Sequence, residues 1–246
     1  MPKREARMEF PAPLIAGRLL RRYQRFLADV QLDSGETVTV HCPNSGSMAT
    51  CKTPGQRVLL SHRPDPKRKL AYTWELYDSG SGWVCVNTQH PNAVVAEGIA
   101  ADRIPELAGY TQLRREVKYG GDSRIDILLK APDRPACYVE VKNCTLLAAD
   151  GRIRFPDAVT ARGLKHLHAL MEVVRQGQRA VMCFFIGRPD GRGFGPADQV
   201  DPAYGEGLRT AAAAGVEILA YRAHISPGKI ELIDAVDVDL RRPDEV

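Results

Sequence analysis

The sequence predicts an α/β (α+β) chain, with an OB-like β-barrel over residues 1–86 followed by a mixed sheet with flanking helices over residues 87–246. Three observations carry that expectation. Residues 14–86 hold short strand-like runs divided by turn residues. From Pro91 onward, helical and extended patterns alternate. A long amphipathic stretch ending at Gly177 is followed at once by the continuous apolar run Arg179–Ile186, the pattern of a helix leading into a central strand with a parallel neighbour.

In the first part the candidate strands are Leu14–Leu20, Arg25–Leu32, Thr37–Cys42, Arg57–Ser61, Tyr72–Tyr77 and Trp83–Val86. Asp33-Ser34-Gly35-Glu36 supplies a hairpin turn. Asn44-Ser45-Gly46-Ser47 and Pro54-Gly55 punctuate the next stretch, so Asn44, Ser47 and later Asn87 fit turns and caps. About five short strands in roughly 70 residues is the size of an OB-type barrel. Such barrels hold nucleic acid through aromatic and basic side chains. Arg18, Arg21, Arg22 and Arg25 cluster around Tyr23 and Phe26, and Lys67, Arg68 and Lys69 lie in a Pro-rich loop ahead of Tyr72 and Trp74. These are candidate phosphate contacts; a solvated loop and an ordinary basic edge strand fit the same pattern.

In the second part, Asn92–Ala100 reads as a short helix capped near Asn92, with a further helical turn at Arg103–Leu107. Phe155-Pro156-Asp157 opens an amphipathic helix running to about Gln176, with Asp157 as its cap or as support for a nearby site. Leu164, Leu167, Met171 and Val174 form its buried stripe. Arg162, Lys165 and His166 face elsewhere; Arg162 and Lys165 are candidate phosphate contacts, and His166 has no sequence-evident partner. A helix over Asp201–Ala214 and strands at Val216–Tyr221 and Lys229–Ile233 complete the sheet.

The chemistry concentrates in residues 123–143, two apolar runs flanking a Pro-containing turn, which reads as a β-hairpin. Side chains alternate along a strand, so Tyr138, Glu140 and Lys142 share one face while Val139 and Val141 enter a core. By the same rule Asp126 opposes Ile125 and Ile127 on the partner strand. A hard divalent cation such as Mg2+ or Mn2+ takes one or two carboxylates, with water and substrate phosphate completing its shell. Asp126 and Glu140 are the candidate ligands, with the Val141 carbonyl third, and Lys142 would face an attacking water. A Glu-x-Lys triplet is weak evidence by itself, and Glu116-Val117-Lys118 is a second one in a polar setting. Ordinary surface charges on a half-exposed sheet fit the same residues.

Composition narrows the classes. The 246 residues are 44% hydrophobic with a net charge of +4, which permits a nucleic-acid partner without requiring one. Six cysteines show no Cys-x-x-Cys spacing, so buried reduced thiols are expected in place of a zinc site. No apolar run approaches the ~20 residues of a membrane span. The basic N-terminus is not followed by a signal-peptide core, so the cytoplasm is the expected compartment. No base-reading helix-turn-helix is evident, which argues against sequence-specific control.

Several motifs in order then resemble one family. They are Arg22-x-x-Arg25-Phe26-x-Ala28-Asp29, Asn44-x-Gly46-Ser47-Met48, Asn87-Thr88-x-x-Pro91-Asn92 and Glu116-Val117-Lys118-Tyr119-Gly120. Ser123-Arg124-x-Asp126, Glu140-Val141-Lys142-Asn143, Phe155-Pro156-Asp157-Ala158-Val159-Thr160-x-Arg162-Gly163 and Asp201-Pro202-x-Tyr204-Gly205 continue the set. Across residues 12–235 the chain resembles the sugar fermentation stimulation protein A family. The resemblance implies an OB-like barrel and a PD-(D/E)xK domain similar to restriction endonucleases. It also implies DNA binding without sequence preference and a link to regulation of maltose metabolism. In the PD-(D/E)xK superfamily a helix often supplies a further acidic residue, and by position Glu116 is the candidate. Three readings are then open: a divalent-metal-dependent nuclease using Asp126, Glu140, Lys142 and Glu116, a DNA-binding regulatory factor on a nuclease-like scaffold, or a protein-interaction adaptor.

Overall fold

The computed structural model describes residues 7–119 and 123–242. The basic residues ahead of Arg7 and the motif residue Gly120 lie outside the described residues. Strand β1 (Arg7–Glu9) precedes β2 (Ile15–Tyr23), β3 (Leu27–Leu32), β4 (Thr37–His41), β5 (Arg57–His62), β6 (Tyr72–Asp78) and β7 (Trp83–Cys85). Strands β2–β7 form one sheet in the order β4-β3-β2-β5-β6-β7. A parallel contact of β4 with β6, His41 opposite Thr73, closes five of them into a barrel. Its core is Leu19, Val30, Val40, Leu60 and Trp74, each fully buried. At the β2–β3 tip, Gln24 and Arg25 take φ 46° and 63°, so β3 starts at Leu27, two residues later than the sequence suggests.

The second part runs α1 (Pro91–Ala100), a 3₁₀ turn at Pro105–Leu107, β8 (Gln112–Tyr119), β9 (Ser123–Ala131), β10 (Arg134–Cys144), β11 (Leu146–Leu147) and β12 (Ile153–Phe155). It continues with α2 (Ala161–Arg175), β13 (Arg179–Ile186), β14 (Phe194–Pro196), α3 (Pro202–Ala213), β15 (Glu217–Ile225) and β16 (Lys229–Ala235). Among the described residues the main sheet has the order β1-β16-β15-β13-β10-β9-β8, parallel at β10–β13 and β13–β15. Strand β1 therefore leaves the barrel and edges the second sheet. Strands β11, β12 and β14 form a small separate sheet.

Strand β13 is buried on both faces, as its unbroken apolar run requires. Val181, Cys183 and Phe185 pack with α1 residues Val94, Val95 and Ile99, and with Leu59 and Leu76 of the barrel. Met182, Phe184 and Ile186 pack on the other side with Leu167 and Leu170 of α2 and Leu208 of α3. One core is thus shared between barrel and sheet. All six cysteines are buried and free.

Four local expectations are corrected. Helix α2 begins at Ala161, because Thr160 is its cap and accepts from Gly163 N at 3.0 Å. Phe155 instead ends β12, and Asp157 lies outside the helix, accepting from Met48 N at 2.8 Å. Asn92 does not cap α1: Pro91 occupies the first turn, His90 takes the cap position, and the Asn92 side chain turns away. Ile125 and Ile127 do not share a face, since Ile127 packs with Val139 and Val141 while Ile125 packs with Leu128 on the α2 side. Opposite them on β8, Glu116 takes φ 54° between the Arg115–Ile127 and Val117–Ile125 pairs.

Candidate active site

Strands β9 and β10 pair as far as Ile127 opposite Val139 and then part, β9 continuing along β8 and β10 along β13. At the fork the Val141 N–H loses its ladder partner and donates to Asp126 Oδ2 at 2.7 Å. The local break in alternation therefore aims Asp126 into the gap between strands. Asp126 Oδ1 accepts from Asn92 Nδ2 at 2.7 Å, and the same amide reaches Glu116 Oε1 at 3.2 Å. The expected helix-borne carboxylate is thus corrected: Glu116 sits on an edge strand, and the helix supplies the Asn92 amide that ties Glu116 to Asp126.

Glu140, 2% exposed, projects from β10 into the same gap. Its Oε1 accepts from Lys142 Nζ at 2.6 Å and makes a close contact with His166 Nδ1, while Lys142 Nζ stands 3.1 Å from that nitrogen. Arg162 Nε lies 3.4 Å from His166 Nε2, so the imidazole is held from both ends. The Glu140 Oε2 atom is buried without a hydrogen-bond partner. His166 thus has a carboxylate partner that its sequence neighbours do not reveal.

The electrostatics divide the two acids. Burial, and then the Glu140 charge, push the Asp126 carboxyl up to about 6, although the Val141 N–H and Lys142 oppose the shift. Burial also raises Glu140, but contacts with His166 and Lys142 outweigh it and leave that carboxyl below its usual range. A cation between the acids would relieve their repulsion. Among the described residues no group of three or more His, Cys, Asp or Glu side chains is spaced to hold a metal ion. The donors expected from the sequence are fewer, two carboxylates and the Val141 carbonyl; all three residues line the cleft, and Glu140 Oε2 is buried without a hydrogen-bond partner. Hard cations accept such sets when substrate phosphate and water complete the shell.

These groups line a cleft of about 820 Å³. The barrel supplies one wall through Arg25 and Asn44–Gly46, and the Pro156–Thr160 loop with the start of α2 supplies the other. Of the basic residues singled out in the sequence, Arg25, Arg162 and Lys165 reach the cleft. Arg22 serves the wall itself, donating to the carbonyls of Arg25 at 2.6 Å, Asn44 at 2.8 Å, Gly46 at 2.9 Å and Ser47 at 3.3 Å. Arg18 donates to Gly55 O, Arg21 pairs with Asp29, and Arg68 donates to Thr73 Oγ1. Lys67 and Lys69 are exposed and do not line the cleft.

Sequence reasoning missed three supports. His166 lies four residues after Arg162, one helical turn on the same face, a signal that was legible. Asn92 follows Pro91, and a Pro in the first helical turn moves the cap position back to residue 90, freeing the Asn92 amide. Buried Glu75 carried no signal: it accepts from Asn87 Nδ2, Ser61 Oγ and His90 Nε2, each at 2.6 Å, and so fastens the start of α1 to the barrel.

Comparison with known proteins places this geometry in context. Residues 89–229 match the sugar fermentation stimulation protein RE domain, and residues 20–86 match the SfsA N-terminal OB domain. The sugar fermentation stimulation protein homolog of Acidithiobacillus ferrooxidans is 66% identical over 220 residues, covering 89% of this chain and 95% of that protein. The Geobacter sulfurreducens homolog is 55% identical over 231 residues, covering 94% and 98%. The structure of Pyrococcus furiosus SfsA in complex with Ca2+ superposes with a TM-score of 0.85 at 27% identity, covering 94% of this chain and 98% of that one.

Proposed function

This chain belongs to the sugar fermentation stimulation protein family, and on that premise we propose that it binds DNA without sequence preference and hydrolyses its phosphodiester bonds with a divalent cation, Mg2+ or Mn2+. The observation that carries the reading is the pair of acids at the cleft floor: Glu140 Oε2, buried without a partner, beside an Asp126 whose carboxyl its surroundings push up to about 6. The Pyrococcus furiosus relative, solved with Ca2+, supports a site for a hard divalent ion.

Asp126, Glu140 and the Val141 carbonyl would hold the cation. When bound, a divalent ion polarises the phosphoryl oxygens and offsets charge that builds during attack. Asn92 keeps Asp126 aimed inward, and His166, braced by Arg162, does the same for Glu140. Lys142, which donates to Glu140, would orient the attacking water and stabilise negative charge on the phosphorus oxygens. The water oxygen bonds to phosphorus and loses a proton to solvent, while the bond to the leaving deoxyribose oxygen breaks and that oxygen takes up a proton from solvent. Arg25, Arg162 and Lys165 would bind flanking phosphates, which gives affinity without base readout.

The test is a plasmid incubated with the full chain in Mg2+ or Mn2+, beside Asp126→Asn and Glu140→Gln. Divalent-dependent cutting lost in both variants is expected. Salt-sensitive binding without cutting in the parent protein would replace hydrolysis with a non-catalytic DNA-binding role.

A further inference from the structure

We propose that the cleft takes an unpaired DNA strand, with Val159 on one wall and Phe26 at the barrel hairpin tip separating its bases from a duplex partner; this rests on the DNA-binding part of the function proposed above. The two walls are joined, not hinged. Asp157 Oδ2 on the α2 side accepts from Met48 N on the barrel side at 2.8 Å. Gly46 permits that approach, because a Cβ there would stand 2.2 Å from Asp157 Oδ1. Behind them Arg188, 2% exposed, bridges Thr50 Oγ1 at 3.1 Å and the Thr145 carbonyl at 2.5 Å.

These contacts would have to break for the cleft to widen around a double helix. The cleft, about 820 Å³ in volume, has Asp126 and Glu140 among its lining, so a strand that enters it without its partner meets both carboxylates. The lip carries the means to hold a strand apart. Val159 is 77% exposed, far more than an apolar side chain requires, and lines the cleft. Its loop is tied down at the next residue, Thr160, which donates its N–H to Asp201 Oδ2 at 2.8 Å and caps α2 with its side chain. Phe26, 45% exposed, does not itself line the cleft but follows Arg25, which does, in a tip whose left-handed backbone is pinned by Arg22. An aromatic face stacks on any base, and apolar side chains wedge between base steps, neither of which reads sequence. Extruding a base from a duplex is unfavourable, and least so where it is already unpaired.

Anisotropy titrations of the full chain in Ca2+ would use a short single-stranded DNA, the blunt duplex of the same sequence, and that duplex with an internal unpaired bubble. The single strand and the bubble are expected to bind about tenfold or more tightly than the blunt duplex. Phe26→Ala is expected to weaken single-strand binding about fivefold and Val159→Ser about threefold, with duplex binding unchanged. A blunt duplex bound as tightly as the single strand, or single-strand affinity unchanged in either variant, overturns the proposal. Parallel digests in Mg2+ separate the two readings. Single-strand preference without cutting refutes hydrolysis and leaves this inference standing; cutting with preference for the blunt duplex does the reverse.

Discussion

An Asp126→Asn variant reports the charge state of the cleft floor through its stability. In the metal-free protein, burial and the neighbouring Glu140 charge push the Asp126 carboxyl up to about 6 from an ordinary value of 3.8. A folded-state value above the unfolded one means that the native protein holds this proton more tightly. The penalty for the charged form is absent below pH ~4, grows between pH ~4 and ~6, and is complete above it. About two pH units at about 1.36 kcal/mol each give about 3 kcal/mol. Asparagine does not titrate, but its single acceptor oxygen can keep only one of the bonds from Val141 N and Asn92 Nδ2. That adds a roughly pH-independent loss of about 1 kcal/mol. Urea denaturation in EDTA at fixed ionic strength should therefore show the stability of Asp126→Asn minus that of the parent rising by about 3 kcal/mol from pH 4 to pH 8. The slope, not the offset, isolates the ionisation. A difference that stays flat, or grows as pH falls, refutes the electrostatic account.

Further outcomes rest on the same contacts. Lys142→Met should abolish cutting in the plasmid digest while leaving DNA retention on a filter within about twofold, because Lys142 faces Glu140 and not the cleft lip. Arg22→Ala orphans carbonyls of the Asn44–Ser47 wall and should lower stability by about 2–3 kcal/mol in urea melts, with faster proteolysis in that loop. Glu75→Ala leaves His90, Asn87 and Ser61 without their buried acceptor and should lower stability by about 3 kcal/mol. Phe184→Ala empties a site in the central strand, where Phe184 stacks on Phe194 at 4.1 Å between ring centres, and should lower stability by about 3–5 kcal/mol, read as a thermal shift with unchanged metal binding per folded molecule.

The sequence disclosed the parts of this molecule that local periodicity governs. Arg179–Ile186 is a strand over its whole length because both its faces are buried, and an unbroken apolar run has no other good home. Glu140 and Lys142 share a face because β10 is regular from Cys137 to Cys144, where it pairs residue for residue with β13, and strict alternation is all that inference needs. The failures fall where tertiary structure overrides the local rule. Asp126 reaches the cleft through a distorted strand pair and a fork between ladders, neither of which is written in residues 123–131. Asp157 looks like a helix cap in sequence, yet its partner is the Met48 N–H, more than a hundred residues away in the chain. The basic residues of the barrel look alike in sequence and separate only in space: Arg22 holds backbone carbonyls, while Arg25, three residues on, lines the cleft. His166 looks isolated in sequence because its partner Glu140 lies on a distant strand.

Calorimetric titration of Mn2+ into the metal-free full chain, into Asp126→Asn and into Glu140→Gln tests the shared-ion claim most directly. The account predicts one ion bound per parent chain near neutral pH, with binding lost or weakened at least about tenfold (about 1.4 kcal/mol) in each variant. Undiminished binding in both variants, or none in the parent, would contradict it.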